Sequence, residues 1–422
     1  MAAEALPHLL IKPTGARCNL DCSYCFYLKK EALYPGSRFR MTDAVAARVL
    51  DRLFEVYRDA PVVPLAWQGG EPSLMGLDFF RALTARAKAR LRPGQRLEQT
   101  LQTNGILLDA EWCRWLAEEE VLVGLSIDGP EALHDAYRVD RRGRGSFAAV
   151  IQAAQRLREA GAAVNAMVTV HAANVGFPSE IYHFLRDDLQ LRHLQFVPVV
   201  EPVEGGVSPR SVPPAAWGRC LMTIFDLWLA TDVGRVFVPT FDAALAAWAG
   251  VEPALCIFRA RCGGALALEH TGDLYACDHF VNPEHLRGNI LEQSVASLAQ
   301  SPAQMAFGAA KEQSLPGRCR ACPVLFACRG ECPKNRILAE PDGMLNYLCA
   351  GYLDFFTHID APMRMMAELL HQDRAVPAVM ALRQAAVEGL PRQAPCPCES
   401  GRKYRHCHGS EAAISARRGG HS

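Results

Sequence analysis

This 422-residue sequence predicts an α/β fold: an incomplete (β/α)6 barrel of parallel strands, then a cysteine-rich domain and a small metal-bound tail. Three observations carry that reading. From about residue 8 to 235, short apolar or β-branched runs alternate with amphipathic stretches, the pattern of a parallel sheet covered by helices. From 236 to 365 the periodicity weakens and cysteine dominates. The chain holds 16 Cys, most of them in close groups. In a reducing compartment such grouping points to metal or redox chemistry rather than disulfides.

The elements follow in order. LPHLLIKPTG reads as a strand and a loop carrying the first cysteine group. TDAVAARVLDRLFEVYRDA reads as a helix capped by Thr42 or Asp43. VVPLAWQGGEP is strand then glycine loop, and LDFFRALTARAKARL is helix. RLEQTLQTNG is strand then loop, AEWCRWLAEEE helix, and VLVGLSIDGP strand then loop. GSFAAVIQAAQRLREAG, AVNAMVTVH, PSEIYHFLRDDL and LRHLQFVPVVEP continue as helix, strand, helix and strand. In such barrels polar function collects on the loops after the strands. The expected divisions are 1–235 for the barrel and 236–365 for the cysteine-rich domain. A helical linker follows at 366–392, a metal motif at 393–412 and a disordered tail at 413–422.

Composition bounds the function. Lys plus Arg equals Asp plus Glu at 45 each, which gives no electrostatic case for nucleic acid. No run of 18 uncharged apolar residues is present, so no membrane span is expected. No signal peptide is read, and the expected location is cytoplasmic.

Cys18, Cys22 and Cys25 form Cys-x3-Cys-x2-Cys after the first strand. Three thiolates can hold three irons of a [4Fe–4S] cube and leave the fourth open to an external ligand. Further strand ends carry Gly69-Gly70-Glu71-Pro72, Gln102-Thr103-Asn104-Gly105 and Ser126-Ile127-Asp128-Gly129-Pro130, with Arg138 shortly beyond. Glycine at 70 would let backbone approach a ligand closely. Each of these segments alone also reads as a polar turn.

Together, in this order, the motifs resemble the radical SAM superfamily, whose barrel is TIM-like. The resemblance implies that S-adenosylmethionine chelates the open iron and is cleaved to a 5′-deoxyadenosyl radical. It also implies that Gly70 lies in the segment meeting the methionine amino group. Ser126 and Arg138 would contact the ribose or carboxylate, and Tyr24 and a residue near Val200 would flank the adenosyl group.

A second constellation comprises Cys256, Cys262, Cys277, Cys319, Cys322, Cys328, Cys332 and Cys349. Eight thiols suffice for two fully ligated cubes or for two zinc sites of four Cys each. The pattern resembles the SPASM extension of radical SAM enzymes that modify peptides, and in particular the anaerobic sulfatase-maturating enzymes. That resemblance implies one auxiliary [4Fe–4S] cluster on Cys256, Cys262, Cys277 and Cys332. A second would sit on Cys319, Cys322, Cys328 and Cys349, making three clusters in all. Asp278 follows Cys277 directly. It is either a loop residue, a second-shell acceptor, or, as the resemblance implies, the general base that takes a substrate proton. A carboxylate beside a cluster could do so if burial raises its pKa.

Cys396, Cys398, Cys407 and His408 supply three thiolates and an imidazole, a donor set suited to one tetrahedral Zn2+, with His406 as a competing ligand. The segment resembles the SEC-C zinc motif, which hints at docking to translocation machinery.

The function these resemblances imply is oxygen-independent oxidation of a Cys or Ser to Cα-formylglycine. The substrate would be a Cys/Ser-x-Pro-x-Arg segment of an unfolded sulfatase polypeptide, and the electron donor flavodoxin- or ferredoxin-like. The alternatives are another SPASM maturase making a thioether or cyclised peptide, or a non-enzymatic metal-cluster scaffold.

Overall fold

The computed structural model describes residues 6–387, 390–396 and 401–407. Through residue 198 strands and helices alternate as the hydrophobic pattern predicts. The order is β1 (His8–Lys12), α1 (Asp43–Val56), β2 (Val62–Trp67), α2 (Leu77–Lys88), β3 (Arg96–Thr103) and α3 (Ala110–Glu118). Next come β4 (Leu122–Ser126), α4 (Phe147–Ala160), β5 (Val164–Val170), α5 (Pro178–His183) and β6 (His193–Pro198). The chain continues with α6 (Pro214–Thr231), α7 (Pro239–Trp248), β7 (Ala265–Glu269), β8 (Asp273–Tyr275), β9 (Leu286–Asn289) and α8 (Pro302–Gln313). The hairpin of β10 (Arg336–Glu340) and β11 (Gly343–Asn346) precedes α9 (Cys349–His358), α10 (Asp360–His371) and α11 (Ala378–Val387).

Local chemistry sets these limits. The Thr42 side chain accepts from the Val45 N–H and caps α1; Val45, Val49 and Leu53 then recur on one buried face. Asp109 caps α3 in the same way, accepting from the Trp112 N–H. Pro214 and Pro239 open α6 and α7, where a missing N–H costs nothing.

Two compact units result. The first comprises Met1–Thr169, Glu201–Arg210 and Ala260–Ser314. Its sheet runs β9-β8-β7-β1-β2-β3-β4-β5. From β7 through β5 the strands are parallel, with Lys12 opposite Glu269, Ile11 opposite Trp67, Thr103 opposite Leu125 and Ser126 opposite Met167. These registers gather the loops after β1, β2, β3 and β4 on one edge. Ile11, Leu65, Leu101 and Leu125 are buried in the strands, and Leu50, Phe80, Leu116 and Leu157 in the helices. The sequence boundary at 235/236 does not separate compact units, because residues 260–314 extend this sheet beyond β1. That pairing joins residues more than 250 positions apart and leaves no local signal.

The second unit comprises Val170–Val200, Ser211–Arg259 and Leu315–Ser422. Within it α6 and α9 meet backbone to backbone. A Cβ at Gly218 would lie 2.7 Å from the Gly351 carbonyl oxygen, and one at Gly351 would lie 2.1 Å from that of Pro214. Phe225, Phe241, Phe355 and Phe356 fill the core around this contact. The helical stretch expected after residue 366 is two helices that start earlier, at Asp360. They are separated at Asp373, whose φ is +53°, and Pro377. Among the described residues no helix is long and apolar enough to cross a membrane.

Candidate active site and cluster sites

The loop after β1 carries Cys18, Cys22 and Cys25, all partly buried. Its backbone is fixed by the loop after β2: the N–H groups of Gln68, Gly70 and Glu71 donate to the carbonyls of Ile11, Gly15 and Arg17. This seam explains Gly70, since a Cβ there would lie 2.1 Å from the Arg17 carbonyl oxygen. Glu71 ties in the third loop. Its fully buried carboxylate accepts from the Ser73 N–H and hydroxyl, the Thr103 hydroxyl and the Asn104 N–H at 2.6–3.0 Å. The Asn104 amide reaches Asn19 at 2.8 Å and approaches the Cys18 sulfur at 3.7 Å. Glu71→Ala leaves these donors unmatched in the interior. It is expected to cost about 2–4 kcal/mol, read as a lower midpoint in thermal or urea unfolding.

The thiols suit a cationic group. Burial pushes Cys18 up to about 12, with Glu71 adding to it, and pushes Cys22 up to about 11. Each also feels the other thiols' charge. Three thiolates there need positive charge among them, which cluster iron would bring.

Beside this loop lies a buried network. Asp128 accepts from Arg138 Nε and Nη2 at 2.8 and 3.0 Å, from the Tyr24 hydroxyl at 2.6 Å and from the Thr169 N–H at 2.8 Å. Arg138 therefore spends its fork on Asp128, a partner the sequence reading did not assign. Ser126 accepts from Gln102 at 3.1 Å. Val200 is buried in the second unit.

Asp278 opens a short turn, Asp278–Phe280, after β8. Its carboxylate is ion-paired with Lys12 at the end of β1. The lysine side chain is 2% exposed and the aspartate 21%. The ammonium lies 4.3 Å from the centre of the Tyr27 ring, and the Tyr27 hydroxyl donates to Glu269. Sequence reasoning missed Lys12. Its signal was a lone charge closing an otherwise apolar run, LLIK.

In the second unit Cys319, Cys322, Cys328 and Cys349 line one cavity of about 230 Å3, walled by Pro323, Val324, Leu325 and Tyr352. Cys328 ends a short helical turn, and the left-handed residues Arg329, Gly330 and Glu331 then reverse the chain. The buried Glu331 accepts from Asn335 and Asn346 and so fixes that reversal. Burial pushes Cys328 up to about 12 and raises Cys319 and Cys349. Among the described residues no three His, Cys, Asp or Glu side chains group as a single metal ion needs. A thiol-lined cavity of this size gives room for a cube instead. Of the other four thiols, Cys262 and Cys277 belong to the first unit and Cys256 and Cys332 to the second. In the tail Cys396 is buried, its N–H donating to the Arg402 carbonyl at 2.8 Å, and Cys407 follows the turn at Tyr404. Cys398 and His408 lie outside the described residues, as does 413–422.

The Radical SAM superfamily model matches residues 13–185, an iron–sulfur cluster-binding (SPASM) model matches 256–323, and the SEC-C motif matches 393–410. The chain is 38% identical to a serine-type anaerobic sulfatase-maturating enzyme of Bacteroides thetaiotaomicron, over 90% of this chain and 96% of that one. This chain belongs to the anaerobic sulfatase-maturating enzymes. It is a radical SAM enzyme with a SPASM domain. Identity to a cysteine-type member of the family from Clostridium perfringens is 29%, over 83% of this chain and 95% of that one. The solved structure of native anSMEcpe with bound AdoMet and Cp18Cys peptide superposes with a TM-score of 0.78 at 29% identity, covering 86% of this chain and 99% of that one.

Proposed function

We infer that this sulfatase-maturating enzyme oxidises a Ser or Cys, within a Cys/Ser-x-Pro-x-Arg segment of an unfolded sulfatase precursor, to Cα-formylglycine without oxygen. The observation that carries the reading is the 38% identity to a serine-type relative across nearly its whole length. The lower figure of 29% for the cysteine-type relative favours serine as the preferred target.

Cys18, Cys22 and Cys25 would hold the cluster that binds S-adenosylmethionine. Gly70, Ser126, Val200 and Tyr24 are assigned to that cofactor by their motif positions. Arg138 would act through Asp128 and Tyr24. The auxiliary clusters are assigned to Cys256, Cys262, Cys277 and Cys332, and to Cys319, Cys322, Cys328 and Cys349. When bound, these groups supply a radical that takes hydrogen from Cβ and an acceptor for the second electron. The chain's own part is the proton. Asp278 takes it from the hydroxyl or thiol as the carbonyl forms, and the Lys12 ammonium stabilises the carboxylate that receives it. A small flavodoxin- or ferredoxin-like protein would deliver electrons. The tail would hold one Zn2+ and dock the enzyme to translocation machinery, where precursors are still unfolded.

The test is anaerobic turnover of a short Ser-x-Pro-x-Arg peptide and its Cys counterpart, with S-adenosylmethionine and a strong reductant. Mass spectrometry should find the aldehyde, formed faster from the serine peptide, on protein carrying about 12 iron per chain. A cross-linked product lacking an aldehyde would transfer the chain to another class of peptide maturase.

A further inference from the structure

The mechanism so far uses Asp278 and takes its place in the fold as given. Little in its own neighbourhood along the chain fixes that place. The turn Asp278–Phe280 is three residues long, and the preceding residue, Cys277, is extended. What the carboxylate meets comes from elsewhere in the sequence, at the end of β1.

Lys12 is an unusual residue for its position. It is 1% exposed, among the largest fully buried side chains of the protein, and it follows Leu9, Leu10 and Ile11 in a strand of the central sheet. Burying an ammonium costs several kcal/mol unless it is paired, and an apolar side chain would satisfy the packing at no such cost. Packing alone therefore does not account for lysine. Three neighbours define where its nitrogen sits. Asp278 Oδ1 pairs with it, the Tyr27 ring lies beneath it at 4.3 Å, and the parallel pairing of β1 with β7 sets Glu269 beside it. Tyr27 is itself held by its hydroxyl on Glu269. The ammonium is thus located by a central strand and a buried ring, both rigid, and the aspartate by the ammonium. The same strand leads after five residues into Cys18. One piece of backbone consequently sets both the first cluster thiol and the anchor of the carboxylate.

We propose that Lys12 is the positioning residue for Asp278: its buried ammonium holds the carboxylate where the target hydroxyl or thiol must deliver its proton. The inference rests on Asp278 being the base. In the transfer the substrate O–H or S–H bond breaks, the proton goes to the carboxylate, and Lys12 keeps its own protons throughout. Its contribution is geometric. Misplacement of a reacting group by about an ångström can cost on the order of a hundredfold.

The experiment compares Lys12→Met, Lys12→Arg, Asp278→Asn and the double variant Lys12→Met/Asp278→Asn in the full-length, cluster-loaded protein. Iron content and the dissociation constant for the serine peptide are measured beside kcat and KM. Lys12→Met is expected to keep its iron and peptide affinity, and to lose about tenfold or more in kcat at nearly constant KM. Lys12→Arg should recover part of that loss. The deciding readout is the double variant, since a residue acting only through Asp278 adds no further loss once Asp278 is gone. Wild-type kcat in Lys12→Met, or losses that multiply in the double variant, would overturn the proposal. A normal rate in Asp278→Asn would instead remove Asp278 as the base, and the proposal with it. Should Lys12→Met lose its iron, the kcat of Lys12→Arg decides, because that variant keeps the charge while changing its reach.

Discussion

Asp278→Asn is expected to lower aldehyde formation by about a hundredfold or more while the protein keeps its iron, because general base catalysis is worth on the order of 10²–10⁴. The amide oxygen of asparagine can still accept from Lys12, so the turn stays in place. What is lost is the basicity that would draw the proton from the substrate. The charge on the lysine also goes unbalanced in a site where its side chain is 2% exposed, at a cost of about 1–3 kcal/mol. The two effects separate experimentally. Turnover of the serine peptide reads the first, and a thermal melt of the same preparation reads the second.

Asp128→Asn should give the largest stability loss among these variants. Asp128 is fully buried and accepts from Arg138, Tyr24 and the Thr169 backbone. An amide there turns one acceptor oxygen into a donor facing donors and leaves the guanidinium without a counter-charge. Removing one partner of such a pair costs about 3–5 kcal/mol. The loss should depend on pH. Burial works against the Asp128 charge, but Arg138 and the hydrogen bonds outweigh it, and the carboxyl titrates below its ordinary value. A depressed folded-state pKa gives stability that is present above the unfolded value of about 4 and disappears as pH falls through the folded one. Urea unfolding at pH 7 and at about pH 3 should therefore show the wild type losing this contribution on acidification. The variant's gap from wild type should shrink in parallel.

The sequence was legible where the information is local. The apolar spacing in α1, its Thr42 cap and the loop cysteines after β1 all follow from residues within a few positions of one another. The assignment of Cys319, Cys322, Cys328 and Cys349 to one group by resemblance coincides with the four thiols around the cavity. What escaped was long-range. Nothing near Ala265–Glu269 announces a parallel partner at His8–Lys12. The Lys12–Asp278 pair depends on that unseen pairing, since β7 and β8 bring Asp278 to β1. Arg138 was read as a cofactor ligand because its motif position carries no record of Asp128, ten residues earlier but across a loop. The break in the C-terminal helices depended on Asp373 adopting a left-handed conformation, which an aspartate tolerates without advertising.

With 16 thiols on one chain, iron has many wrong partners. The glycine contact between α6 and α9 bears on how the right ones are selected. Because neither Gly218 nor Gly351 has room for a methyl group, α9 cannot slide or turn by one residue without driving Ala350 or Tyr352 into a carbonyl of α6. Cys349, the first residue of that helix, is thereby given one azimuth and one depth. Fidelity of ligation at the cavity is then a matter of mechanical indexing between two helices, set by the absence of side chains and decided before any difference in affinity among thiols can act.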